Sequence, residues 1–174
     1  MRAVGTILVL VTAAVLQSTD TMQACGEKFL VVGRGVSFHR AYAAIYPASI
    51  VLYAQPQRGA SKAMRDPKFL AELKKAGHRV LLVDSDAALA RALESDRVDL
   101  VLTDSADADR MSRQAAASPS GPEVLPVMYE PTKTEAKAVE ARFRYPLKTS
   151  DRADRYLSTI DDAMKARADQ RKKK

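Results

Sequence analysis

Four short runs are apolar at consecutive positions: SIVLYA (residues 49–54), RVLLVD (79–84), VDLVLTD (98–104) and EVLPVMYE (123–130). A strand with one wet face alternates apolar and polar residues, whereas a strand covered on both faces does not. The spacers between the runs carry the opposite pattern. Asp66-Pro67 is a helix start, with a capping acid before a proline in the first turn. Phe69, Leu70, Leu73 and Ala76 then recur at helical spacing, and Gly77 is the stop. Asp84 or Ser85 caps a second helix with Ala88, Leu89, Ala92 and Leu93 on one face, and a third covers residues 107–116. Thr132 and Glu135 make a capping box that opens a helix turning Ala136, Val139 and Phe143 inward. FRYPL gives a short fifth strand, sent to an edge by Pro146. A last helix starts at Ser150 or Asp151 and aligns Ala153, Tyr156, Leu157, Ile160 and Met164.

Buried strands alternating with amphipathic helices predict a parallel sheet with helices on both faces. The expected fold is α/β: a three-layer, flavodoxin-like domain over residues 49–164, with five parallel strands in the order 2-1-3-4-5. Ligands of such sheets sit beyond the carboxyl ends of the strands, near the switch point between the first and third. Asp104, which ends the third run, is at that place.

The two ends of the chain read differently. Arg2 is followed by residues 3–16, apolar and uncharged, and then by QSTDTMQAC. A membrane-spanning helix needs about 20 apolar residues, so the run fits a secretory signal over residues 1–24 better. Cys25 is the only cysteine and therefore has no partner for an intramolecular disulfide. MQAC resembles a bacterial lipoprotein processing site, which implies a lipid on Cys25 and attachment to a membrane. Ordinary cleavage near Ala24, leaving a free thiol or an intermolecular disulfide, is the equal alternative. Residues 25–48 form an extension in which KFLVV could add an edge strand and FHRAYAAIY a helix. At the other end, residues 165–174 hold most of the net charge of +7. They read as a basic, disordered tail. No basic stripe recurs elsewhere and Trp is absent, so nucleic acid is not an expected partner.

Several motifs are set aside. VVGRGVSF lacks the third glycine of a dinucleotide loop. Asp104, Asp107 and Asp109 lack the glycine and closing glutamate of a calcium loop, and read as solvated helix-cap acids. His39 and His78 have no cysteine or paired acid near them in sequence, His78 being expected in a turn. No serine lies in a hydrolase elbow. No cofactor and no metal are expected.

The stretches AGHRVLLVDSDAALARALESDRVDLVLTD, LPVM and YPLK, within residues 49–164, resemble a bacterial response-regulator receiver (CheY-like) domain. The resemblance implies that Asp104 stands at the phosphoryl-acceptor position, Lys148 at the lysine that contacts the phosphoryl group, and Tyr145 at the reporter aromatic. It also implies a pair of acids after the first strand to hold Mg²⁺, where this chain has Ala54 and Gln55. The hydroxyl position after the fourth strand falls on Pro131, with Thr132 one place late. Mg²⁺ wants oxygen ligands, carboxylates foremost, and phosphoryl transfer depends on its charge.

The expectation is therefore a non-catalytic pseudo-receiver in the bacterial envelope, periplasmic or anchored as a lipoprotein through Cys25. It would bind a protein or a small ligand; by the resemblance, residues 133–164 form the partner face. The rival is a cytoplasmic, membrane-anchored receiver that accepts phosphate on Asp104. A third reading is a transport-associated ligand-binding protein, although such proteins usually have two lobes and this chain has length for one.

Overall fold

The computed structural model describes residues 43–95 and 97–173. The segment expected to be a signal, Cys25, VVGRGVSF and His39 lie outside the described residues. In chain order the elements are β1 (Ser49–Tyr53), α1 (Ser61–Met64), α2 (Pro67–Lys75), β2 (Arg79–Val83), α3 (Asp86–Ser95), β3 (Leu100–Asp104), α4 (Ala108–Ala117), β4 (Glu123–Met128), α5 (Lys133–Glu140), β5 (Leu147–Lys148) and α6 (Ala153–Lys172). The strands form one parallel sheet in the order β2-β1-β3-β4-β5. This is the three-layer, flavodoxin-like α/β arrangement.

Each inner strand supplies both faces. Ile50, Leu52, Leu100, Leu102, Leu125 and Val127 pack with Met64 of α1, Leu73 of α2 and Tyr156, Leu157 and Ile160 of α6. Val51, Tyr53, Val101 and Val124 pack on the other side with Leu89 and Leu93 of α3 and Met111 and Ala115 of α4. The continuous apolar runs of β1, β3 and β4 are thus the consequence of two cores sharing one sheet. β2 departs from that rule. It lies at an edge, and Leu81 and Leu82 remain 42% and 36% exposed.

Local signals account for the helix ends. The Asp66 side chain accepts from Lys68 N at 2.8 Å, with Pro67 in the first turn. At the far end of α2, Gly77 N donates to Lys74 O and His78 N to Leu73 O, a Schellman closure. It needs Gly77 at φ +100°, where glycine alone is unstrained. Thr132 and Glu135 form the expected reciprocal box at the start of α5.

Four local readings are corrected. α1 forms inside a segment that reads as loop. β5 is two residues long: β4 carries Pro126, which has no N–H to donate, and β5 joins only from Val127 onward. α6 starts at Ala153, because the Asp151 carboxylate accepts Lys148 N at 2.8 Å instead of capping the helix. Finally, the basic stretch expected to be disordered is helical through Lys172. It is held there from outside the helix: Arg167 donates to Gly121 O at 2.6 Å and Ser120 O at 3.1 Å, and Arg171 pairs with Asp99 at 3.5 Å.

Candidate functional site at the carboxyl edge of the sheet

Parallel strands all end at one edge, so β1 and β3 deliver Ala54 and Asp104 side by side. Asp104 is only 6% exposed. Its Oδ1 accepts Ala106 N at 2.9 Å, and its Oδ2 accepts Ala60 N at 3.0 Å across the β1–α1 loop. The carboxylate thus ties the end of β3 to the loop that follows β1. That loop is secured further: Arg65 donates to Ala54 O at 3.1 and 2.6 Å, and the Ser61 hydroxyl donates to Gln55 O.

Asp107 is 3% exposed and is therefore not the solvated cap acid expected from sequence. It stands at the N-cap position of α4 without capping it. Its two oxygens take a bidentate grip from Arg58, at 2.7 and 2.8 Å, and a third donor from Arg110 at 3.2 Å. Asp109, by contrast, is exposed and pairs with Arg142. Arg110 continues the network to Asp86 at 2.6 Å and to the Tyr53 hydroxyl at 3.0 Å, with its guanidinium 5.5 Å above the Tyr53 ring. The Tyr53 hydroxyl donates to Asp86.

The electrostatics follow from this chain of contacts. The hydrogen bonds it donates to Asp107 hold Arg58 above its ordinary value, as those donated to Tyr53 and then Asp86 do for Arg110. The Tyr53 hydrogen bond, followed by Arg110, lowers Asp86. Burial first, and then Asp86, raises Tyr53. Arg58, Arg110 and Asp86 are thus held in their charged states by their neighbours.

Of the positions singled out in sequence, Ala54, Gln55 and Asp104 meet at this edge. Lys148 ends β5, where its carbonyl accepts the Tyr156 hydroxyl at 2.9 Å, and its ammonium makes no ion pair among the described residues. The Tyr145 hydroxyl reaches Asp162 O at 3.3 Å on α6, and Thr132 caps α5. Neither turns to Asp104. The residues around Asp104 do not fit Mg²⁺: Ala54 offers no carboxylate, both Asp104 oxygens already accept N–H groups, and Arg58 occupies Asp107. Among the described residues no group of three His, Cys, Asp or Glu side chains is placed to hold a metal ion. Nor does a described helix have the length and apolarity to cross a membrane.

Sequence reasoning missed Arg58, Asp107, Arg110 and Tyr53 as a unit. The only local hint is the three-residue spacing of Asp107 and Arg110, which places them together on α4. A shallow hollow of about 250 Å³ opens beside β5, lined by Phe69 and Glu72 of α2 and by Thr149, Asp151 and Tyr156. Comparison of the chain with family models, with curated proteins and with solved structures gives no match. The class of protein that fold and site define is a flavodoxin-like α/β domain whose carboxyl edge is closed by an arginine–aspartate network.

Proposed function

We propose that this chain is a non-catalytic, receiver-like binding module of the bacterial envelope. The observation that carries the reading is the state of Asp104. A carboxylate that accepts a phosphoryl group must offer a free oxygen beside a cation. Both oxygens of Asp104 are instead engaged by backbone N–H groups, and the neighbouring Asp107 is neutralised by arginines. Such an acid fastens two loops together. Function then falls to surfaces. The hollow between α2 and α6 adjoins the 133–164 segment and supports that segment as the place where a protein or a small ligand binds. Placement in the envelope, through a cleaved signal and a lipid or free thiol at Cys25, rests on the N-terminal sequence alone.

The decisive experiment incubates the full chain with acetyl phosphate and Mg²⁺ and reads the intact mass. No phosphoryl adduct is expected. An adduct that Asp104→Asn abolishes would overturn the reading in favour of a working receiver. Intact mass of the protein from its native host tests the placement: loss of residues 1–24 is expected, and an unprocessed N-terminus would refute export.

A further inference from the structure

Tyr129, the first residue after β4, is 53% exposed, yet its ring lies directly on backbone. A Cβ built on Gly59 would stand 2.6 to 2.8 Å from Tyr129 Cγ, Cδ1 and Cβ, so only glycine admits the ring there. Gly59 belongs to the loop after β1, and β3 lies between β1 and β4 in the sheet. A side chain leaving β4 and resting on the β1 loop must therefore cross the carboxyl end of β3, where Asp104 stands. Gly59 also directly precedes Ala60, whose N–H binds Asp104. Asp104, at that edge of the sheet, is only 6% exposed.

The cover is lightly held. The Tyr129 hydroxyl has no hydrogen bond among the described residues, so the ring is retained by van der Waals contact with Gly59. The next residue, Glu130, has φ +40°, a left-handed conformation that costs a residue with a side chain.

We propose that Tyr129 is a removable cover over the carboxyl end of β3, closed on Gly59 in this structure, and that swinging it outward bares the Asp104 carboxylate to solvent. The device does not depend on whether Asp104 is a fastener or an acceptor, so its failure would leave the phosphorylation test untouched. Carbodiimide labelling of carboxylates on the full chain, read by peptide mass spectrometry, tests it. Tyr129→Ala should raise labelling of Asp104 by about tenfold, with exposed Asp109 and arginine-held Asp107 unchanged. Gly59→Ala, whose methyl displaces the ring, should do the same, whereas Tyr129→Phe should behave as the parent. Unchanged Asp104 labelling in Tyr129→Ala would overturn the proposal. An equal rise at Asp107 would do so too, because it would signal general loosening instead of a local cover.

Discussion

Replacing Asp104 with asparagine removes one charge and turns one acceptor into a donor, with little change of volume. The carboxylate now accepts Ala60 N at 3.0 Å and Ala106 N at 2.9 Å. Asparagine can keep one of these. Its oxygen would serve Ala60, which is fully buried, and its amide would then oppose the Ala106 N–H, which can turn to water. The Ala60 bond loses its charge assistance, from roughly 1.5–3 kcal/mol to roughly 1, and the Ala106 bond is lost. Asp104→Asn should therefore cost about 2–5 kcal/mol. With a urea m-value of about 2 kcal/mol/M for a domain of this size, the midpoint should fall by about 1 M or more at constant m. Asp104→Ala, which forfeits both bonds, should fall further. An acid kept for chemistry among repelling neighbours behaves the opposite way, and its removal is neutral or stabilising. If urea denaturation at neutral pH shows Asp104→Asn to be as stable as the parent, the fastening role assigned to this carboxylate is wrong.

Two further outcomes follow from other parts of the molecule. His78 is buried and its Nδ1 accepts Ala48 N at 3.2 Å; burial lowers its pKa, against a smaller opposing pull from Asp161. The folded state therefore favours neutral imidazole, so its contribution is complete above the ordinary value of about 6.5 and is lost as pH falls through the lower folded value, at up to about 1.4 kcal/mol per pH unit. Urea midpoints between about pH 5 and 7 should show this slope, and His78→Asn, which retains an acceptor but does not titrate, should flatten it. Gly77→Ala should cost about 1–2 kcal/mol in the same assay from backbone conformation alone, since a Cβ there meets nothing within 4 Å; a neutral result would contradict the φ of +100° at this residue.

The elements that could be read in the sequence are those whose signal is local. Asp66-Pro67 with Gly77, and Thr132 with Glu135, carry their own start and stop chemistry, and uninterrupted apolar runs such as LVL in β3 announce burial on both faces. What could not be read depends on distant partners. Asp107 looks like any acid at a helix start until Arg58, 49 residues earlier, closes on it. His78 follows a helix-stopping glycine and so reads as a turn, but the imidazole is drawn inward to serve Ala48. The basic end of α6 has the composition of a solvated tail, and what orders it is a pair of carbonyls at Ser120 and Gly121. Tyr129 carries no pattern at all; its role comes from a glycine two strands away.

The ordering of α6 has a mechanical consequence. Twenty residues of helix span about 30 Å, and the rod is fastened at both ends. Near its start the Tyr156 hydroxyl holds the carbonyl of Lys148, the residue paired with Met128 at the end of β4. Near its finish Arg167 grips the turn that leads into β4. The helix is thus a splint along a single strand, anchored beyond each of its ends. A displacement at the carboxyl edge cannot stay local to β4 and β5. It is passed along the helix toward the Arg167 anchor, eleven residues and about 17 Å further on, beside the turn where β4 begins.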